Sequence, residues 1–172
     1  MSDCLQLAKN AIQAYLKNGE IFDPKAEFNN LQRQKAGCFV SIHLRESDEL
    51  RGCIGTISPT CKNLAYEIIN NAISACRDPR FLPISKQELA NLDISVDILS
   101  QTEPIASEKL LDPKKYGVIV KSADGRTGLL LPDLEGVNDV NYQLEIARQK
   151  AGILPDEKVS LFRFQVHRYK EN

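Results

Sequence analysis

Two stretches that alternate apolar with polar residues, GCFVSIHL (37–44) and LRGCIGTIS (50–58), flank the short polar run RESDE. This arrangement constrains the fold more than any other in the chain. Alternation at period two puts one side of a strand on a core, and a short polar link brings the next strand back antiparallel. With Leu44 opposite Leu50, Ile42 faces Gly52, Val40 faces Ile54 and Cys38 faces Thr56, a mostly apolar set. The other side then carries His43 opposite Arg51, Ser41 opposite Cys53 and Phe39 opposite Gly55. A slip by one residue would turn Arg51 and Cys53 towards the core, where an unpaired charge is costly.

Within that hairpin, LRGCIGT sets one cysteine between two glycines, with an arginine two residues before it. Glycine weakens a strand and gives it nothing to pack, so the pair signals a close backbone approach or a thiol kept accessible. Gly52 falls on the core side, where it permits close packing. Gly55 leaves a gap beside Cys53 on the polar side. Diagonal cross-strand neighbours lie about 7–8 Å apart, so the His43 ring is a candidate base for Cys53. A cation beside a thiol favours the thiolate, the nucleophilic form. Cysteine is also a common small buried hydrophobe, and for Cys53 both readings stand. Cys38, Cys61 and Cys76 read as packing residues, and Cys4 as exposed near a fraying terminus.

The second informative stretch is RDPRFLP, with Asp78, Arg80 and Phe81 at a helix exit. An aspartate before proline suits a turn whose carboxylate accepts backbone N–H groups, so Asp78 and Arg80 can simply fix the loop. Alternatively, Arg80 presents a fork to a carboxylate or phosphate. If Arg51, Cys53 and Arg80 share one site, the RDPRF loop must fold back over the polar side of the hairpin. Cys53 and at least one arginine must then line the same concave surface.

The remaining elements follow from periodicity and punctuation. Leu5, Ala8, Ile12 and Leu16 recur at helical spacing between Ser2 as N-cap and Gly19 as stop, followed by a loop with Pro24. Ser58 and Pro59 open a second helix carrying Leu64, Ile68, Ala72 and Cys76 on one side, about 25 Å long. Ser85 and Glu88 form a capping box over SKQELANL. DISVDILS is a strand, and YGVIVKS with TGLLL form a hairpin around ADGR. Asp139 caps a helix that Gly152 stops, and VSLFRFQVHRY alternates as the last strand. The expectation is one α+β domain over residues 1–172, a largely antiparallel sheet built from hairpins and covered by helices, in two lobes.

Charge narrows the function classes. Twenty-two basic and 23 acidic residues leave a net charge of -1 with no basic stripe, which argues against nucleic-acid binding. The first residues are too polar for a signal peptide, and no segment reaches the roughly 20 apolar residues that span a bilayer. With five cysteines and no disulfide pattern, the expected location is cytoplasmic. No C-x-x-C or H-x3-H spacing appears, so no metal site is assigned, and the sequence names no cofactor.

The succession GCFVSIHL, LRGCIGT, ACRDPRF-x-P, ELANLDISVDILS, YGVIV, GLLLP, ARQKAGI and RYKE resembles the AMMECR-one domain family, from about Gly37 to Glu171. The resemblance implies an α+β fold of two lobes, an intracellular protein without an established activity, and Memo-like and radical SAM proteins as partners. Carried over, the family's suspected functional surface comprises Arg51, Gly52, Cys53, Gly55 and Thr56, with Asp78, Pro79, Arg80 and Phe81. LPDL stands here where LPQV is expected, so Asp133 receives no role, and Tyr116 replaces a histidine frequent in relatives. Two function classes follow. One is an enzyme or enzyme-system component that binds a small anionic metabolite, with Cys53 as candidate nucleophile and Arg51 and Arg80 as anion ligands. The other is a non-catalytic interaction module or scaffold. Whether the chain is an enzyme at all stays open at this point, and nucleic-acid binding ranks last.

Overall fold

The structure, a computed structural model, describes residues 2–171. The fold is α+β, with helices packed on two open, four-stranded antiparallel sheets. The chain divides into two compact units: residues up to Leu99 together with those from His167 onward, and Ser100–Val166.

The first unit is built on β1 (Cys38–Leu44), β2 (Leu50–Gly55), β3 (Leu92–Leu99) and β8 (Val166–Lys170), ordered β2-β1-β3-β8. Helices α1 (Asp3–Asn18) and α3 (Leu64–Ala75) pack on each other and on this sheet. Cys38, Val40 and Ile42 of β1 are fully buried, so the alternation of the sequence places the core where expected. Ser2 caps α1 and Gly19 closes it in the left-handed region, as the sequence indicates. Cys4 is not exposed: it sits in the first turn of α1 on the core side and is buried. The segment after Pro24, read as loop, contains the short α2 (Asn29–Gln32), through which Leu31 enters the core.

The helix expected from Ser58 begins only at Leu64, capped by Asn63. Its buried Glu67 explains the late start. That carboxylate accepts the Thr60 and Cys61 N–H groups at 2.8 and 2.7 Å and the Thr56 and Thr60 hydroxyls at 2.6 and 2.9 Å. Residues 56–61 therefore wrap around a side chain of the helix instead of extending it. At 1.5 Å per residue α3 is about 18 Å long rather than 25 Å. The capping box of Ser85 and Glu88 is present, over a 3-10 helix at Lys86–Asn91.

In the second unit β4 (Glu103–Ile105), β7 (Val159–Phe164), β5 (Gly117–Ser122) and β6 (Thr127–Leu130) are ordered β4-β7-β5-β6. Helix α4 (Val140–Lys150) packs on β5 and β6 over Val118, Val120 and Leu130. The single closing strand of the sequence reading is two strands. The alternation of VSLFRFQVHRY is interrupted at Gln165, with β7 in one sheet and β8 in the other. Period-two patterning cannot distinguish one long strand from two that change sheet. No described helix is long and apolar enough to cross a membrane.

Candidate functional site

The site region is the outer edge of β2. The hairpin register matches the sequence reading from Phe39 opposite Gly55 through Ile42 opposite Gly52, including Ser41 opposite Cys53. Beyond Ile42 it departs: His43 lies opposite Leu50 rather than Arg51, and Leu44 N–H donates to the Glu49 carbonyl at 2.9 Å. Arg51 is thus the extra residue of a β-bulge, which re-aims a side chain. It donates to Glu88 Oε1 at 2.8 Å and to the carbonyls of Leu82 and Pro83 at 2.6 and 3.4 Å. Glu88 serves two purposes, because its other oxygen accepts the Ser85 N–H at 2.8 Å. Burial pushes the Glu88 carboxyl up, but Arg51 and Ser85 outweigh it and hold the group below its ordinary value.

The RDPRF loop does fold back over β2, through backbone rather than through the thiol. Cys53 N–H donates to Asp78 Oδ2 at 2.9 Å, and the Arg80 guanidinium donates to the Cys53 carbonyl at 3.1 Å. Asp78 in turn accepts three bonds from Arg80, one from its N–H and two from its guanidinium, at 2.6–3.0 Å. This pair clasps the outward backbone groups of an edge strand, the groups that would otherwise template pairing with another chain. The Asp78 side chain is only 1% exposed, while that of Arg80 is 57% exposed. Arg80 holds the Asp78 carboxyl far below the ordinary carboxylate range, against the opposing effect of burial.

Both glycines answer to close packing. A Cβ at Gly52 would overlap the Ala75 carbonyl at the end of α3, and one at Gly55 would overlap the Phe39 ring. The gap expected beside Cys53 is therefore filled by that ring. Cys53 itself is half-buried, and the Ser41 hydroxyl donates to its sulfur at 3.2 Å. Burial pushes Cys38 and Cys76 up to about 12 and Cys4 up to about 11, so these thiols stay protonated. His43 is half-buried and, among the described residues, makes no hydrogen bond to Cys53. Thr56 belongs to the Glu67 network and to Asn71, whose amide donates to the Thr56 hydroxyl at 3.3 Å. Among the described residues no cluster of His, Cys, Asp and Glu could hold a metal ion.

Beside this clasp lies an open depression of about 630 Å³, lined by Leu44, Glu49, Leu50, Arg51, Phe81 and Leu82. Arg51 and Phe81 line it and Cys53 does not. This depression is therefore not a surface that Cys53 shares with Arg51. Leu82 is 83% exposed. Sequence reasoning missed Leu82; the capping box located Glu88, but nothing in the pattern paired its other oxygen with Arg51.

The fold is thus α+β with two open antiparallel sheets, and its glycine-flanked cysteine strand is clasped by an Asp–Arg loop. The chain belongs to the AMMECR1 family, whose model matches residues 5–169. A Thermotoga maritima protein is 49% identical, with 95% of this chain and 94% of that one aligned. A Clostridium acetobutylicum protein is 46% identical over 98% of this chain, which spans 36% of its length. The crystal structure of an uncharacterized protein from Pyrococcus horikoshii superimposes with a TM-score of 0.89 at 30% identity, covering 98% and 90% of the two chains.

Proposed function

We propose that this chain is a non-catalytic interaction module that docks a partner protein through β2 and the 78–83 loop. The observation that carries this reading is the commitment of both arginines. Arg51 is spent on Glu88 and two carbonyls, and Arg80 is tied through Nε and Nη2 to Asp78 and the Cys53 carbonyl, so Arg51 has no fork left for a metabolite anion and Arg80 keeps only its outer Nη1 edge. What the face offers instead is apolar: Leu44, Leu50, Phe81 and the protruding Leu82. Exposed apolar surface rimmed by polar groups is the usual signature of a protein contact. The partners implied by the family resemblance are Memo-like and radical SAM proteins, and the working compartment is the cytoplasm, in keeping with five free thiols. Co-purification with those partners tests the reading. Leu82→Ser should abolish a complex that wild type forms; a complex that survives it places the interface elsewhere.

A second reading keeps Cys53 as a thiol site for a small anionic metabolite. It rests on the half-buried sulfur held by Ser41, and on the exposed Arg80 guanidinium at the Cys53 carbonyl. Alkylation of the protein against pH, with Cys53→Ala as reference, tests it. Cys53 reacting no faster than a free thiol removes the covalent version.

A further inference from the structure

We infer that the segment seated in the β2 depression is basic and amphipathic: an apolar side chain flanked by lysine or arginine. This rests on the docking reading and adds the chemistry of the partner. Four of the six lining residues are apolar, and the two charged ones, Glu49 and Arg51, are not equivalent. The charge of Arg51 is balanced by Glu88 at 2.8 Å. Glu49 has no cation, and neither have Glu46 and Asp48, which share its exposed turn; none of the three forms an ion pair among the described residues. The nearest cation in sequence, Arg45, is already taken by Asp93 at 2.8 Å and Glu171 at 3.6 Å. Arg77 and Lys86, exposed cations flanking the 78–83 loop, do not line the depression; of the three acids Glu49 alone lines it, with Glu46 and Asp48 behind it on the same turn.

The hairpin side of the depression therefore carries uncompensated negative charge next to exposed leucine. Such a rim steers and selects a cationic partner and repels an acidic one. The turn that presents these acids is held in place. Asp48 occupies the left-handed region at φ 55, which aspartate tolerates, and its N–H donates to the Leu44 carbonyl at 2.8 Å. A second copy of this chain fits poorly, because a two-fold contact centred here would set one acidic turn against the other. The same acids reject a nucleic-acid backbone or an anionic lipid surface.

The test titrates the full chain into three labelled helix-forming peptides: leucine with lysine, leucine with glutamate, and serine with lysine. The leucine–lysine peptide should bind, and the other two should bind at least about tenfold more weakly. Leu82→Ser, and the charge-neutral Glu46→Gln/Asp48→Asn/Glu49→Gln variant, should each lose about tenfold in affinity for it. All four positions are exposed, and asparagine tolerates the φ of residue 48, so these variants should fold; circular dichroism checks that. Leu154→Ser with Asp156→Asn, exposed positions of the second unit, should bind as wild type does. Equal binding of the lysine and glutamate peptides overturns the inference, as does no binding at all, or an equal loss in the Leu154/Asp156 control. If the peptide arm fails while Leu82→Ser still breaks a complex with a purified partner, the docking reading stands and its basic chemistry falls.

Discussion

The edge strands β2 and β6 solve the same packing problem in different units. In each, a buried glycine lies under a helix carbonyl: Gly52 beneath Ala75 at the end of α3, and Gly128 beneath Ala147 of α4. In each, the next residue is half-buried, Cys53 in β2 and Leu129 in β6. There the likeness ends. The outward backbone groups of Cys53 are clasped by Asp78 and Arg80, whereas among the described residues no side chain bonds the backbone of Gly128 or Leu129. The comparison separates two signals that the sequence merges. The glycine is there for the helix, in both units. What sets β2 apart is the clasp, and a thiol where its counterpart carries an aliphatic chain.

The largest effect should come from adding one methyl group at either glycine. Gly52→Ala and Gly128→Ala each force a Cβ into a backbone carbonyl that no side-chain rotation can relieve. Each should cost about 3 kcal/mol, read from urea unfolding of the full chain. If Gly52→Ala is tolerated while Gly128→Ala is not, the two glycines serve different ends and the parallel is broken.

Next in size is Asp78→Asn. It strips the charge from a carboxylate that takes one bond from Cys53 and three from Arg80, and should cost about 2 kcal/mol at neutral pH. The sign of its pH dependence follows from the lowered folded-state value. The unfolded chain binds the Asp78 proton more readily, so the stabilisation is complete above the ordinary value of 3.8 and is lost as pH falls below it. The gap between wild type and Asp78→Asn should therefore narrow progressively below about pH 4. A gap that stays constant down to about pH 2 would leave the clasp without an energetic role. Since β6 has no clasp, Gly128→Ala should show no such narrowing.

How far the sequence reaches is clear from particular residues. Alternation located the core face of β1, and the aliphatic residues fixed the register from Phe39 to Ile42. It could not locate the bulge at Arg51, whose partner Glu88 lies 37 residues further on. The Asp–Pro signal in RDPRF correctly marked a turn, and structural service by Asp78 and Arg80 was one of its two readings. Which backbone the carboxylate and guanidinium would take is a tertiary matter, and Cys53 is 25 residues from Asp78. For the same reason the start of α3 was misplaced: Ser58 and Pro59 look like helix openers until the buried Glu67 captures the residues after them.

The smallest effect, and the one that sharpens the comparison most, belongs to Cys53→Ala. The side chain is half-buried, its sulfur accepts only a weak bond from Ser41, and its backbone N–H and carbonyl remain to serve the clasp. Stability should fall by no more than about 1 kcal/mol. Cys53→Leu, which copies Leu129 of β6, separates packing from chemistry. A position kept for packing should accept leucine with little change, as β6 does, and the protein should still capture its partner. A position kept for its thiol should lose function in both variants while the fold survives. Thiol labelling in a Cys61→Ser background supplies the independent reading, because Cys61 is half-buried like Cys53, whereas Cys4, Cys38 and Cys76 are buried and held protonated. Rapid labelling that disappears in Cys53→Ala, together with functional loss in Cys53→Leu, would overturn the docking-only reading and favour the thiol. Full function in both variants would make β2 a second β6 with a clasp added.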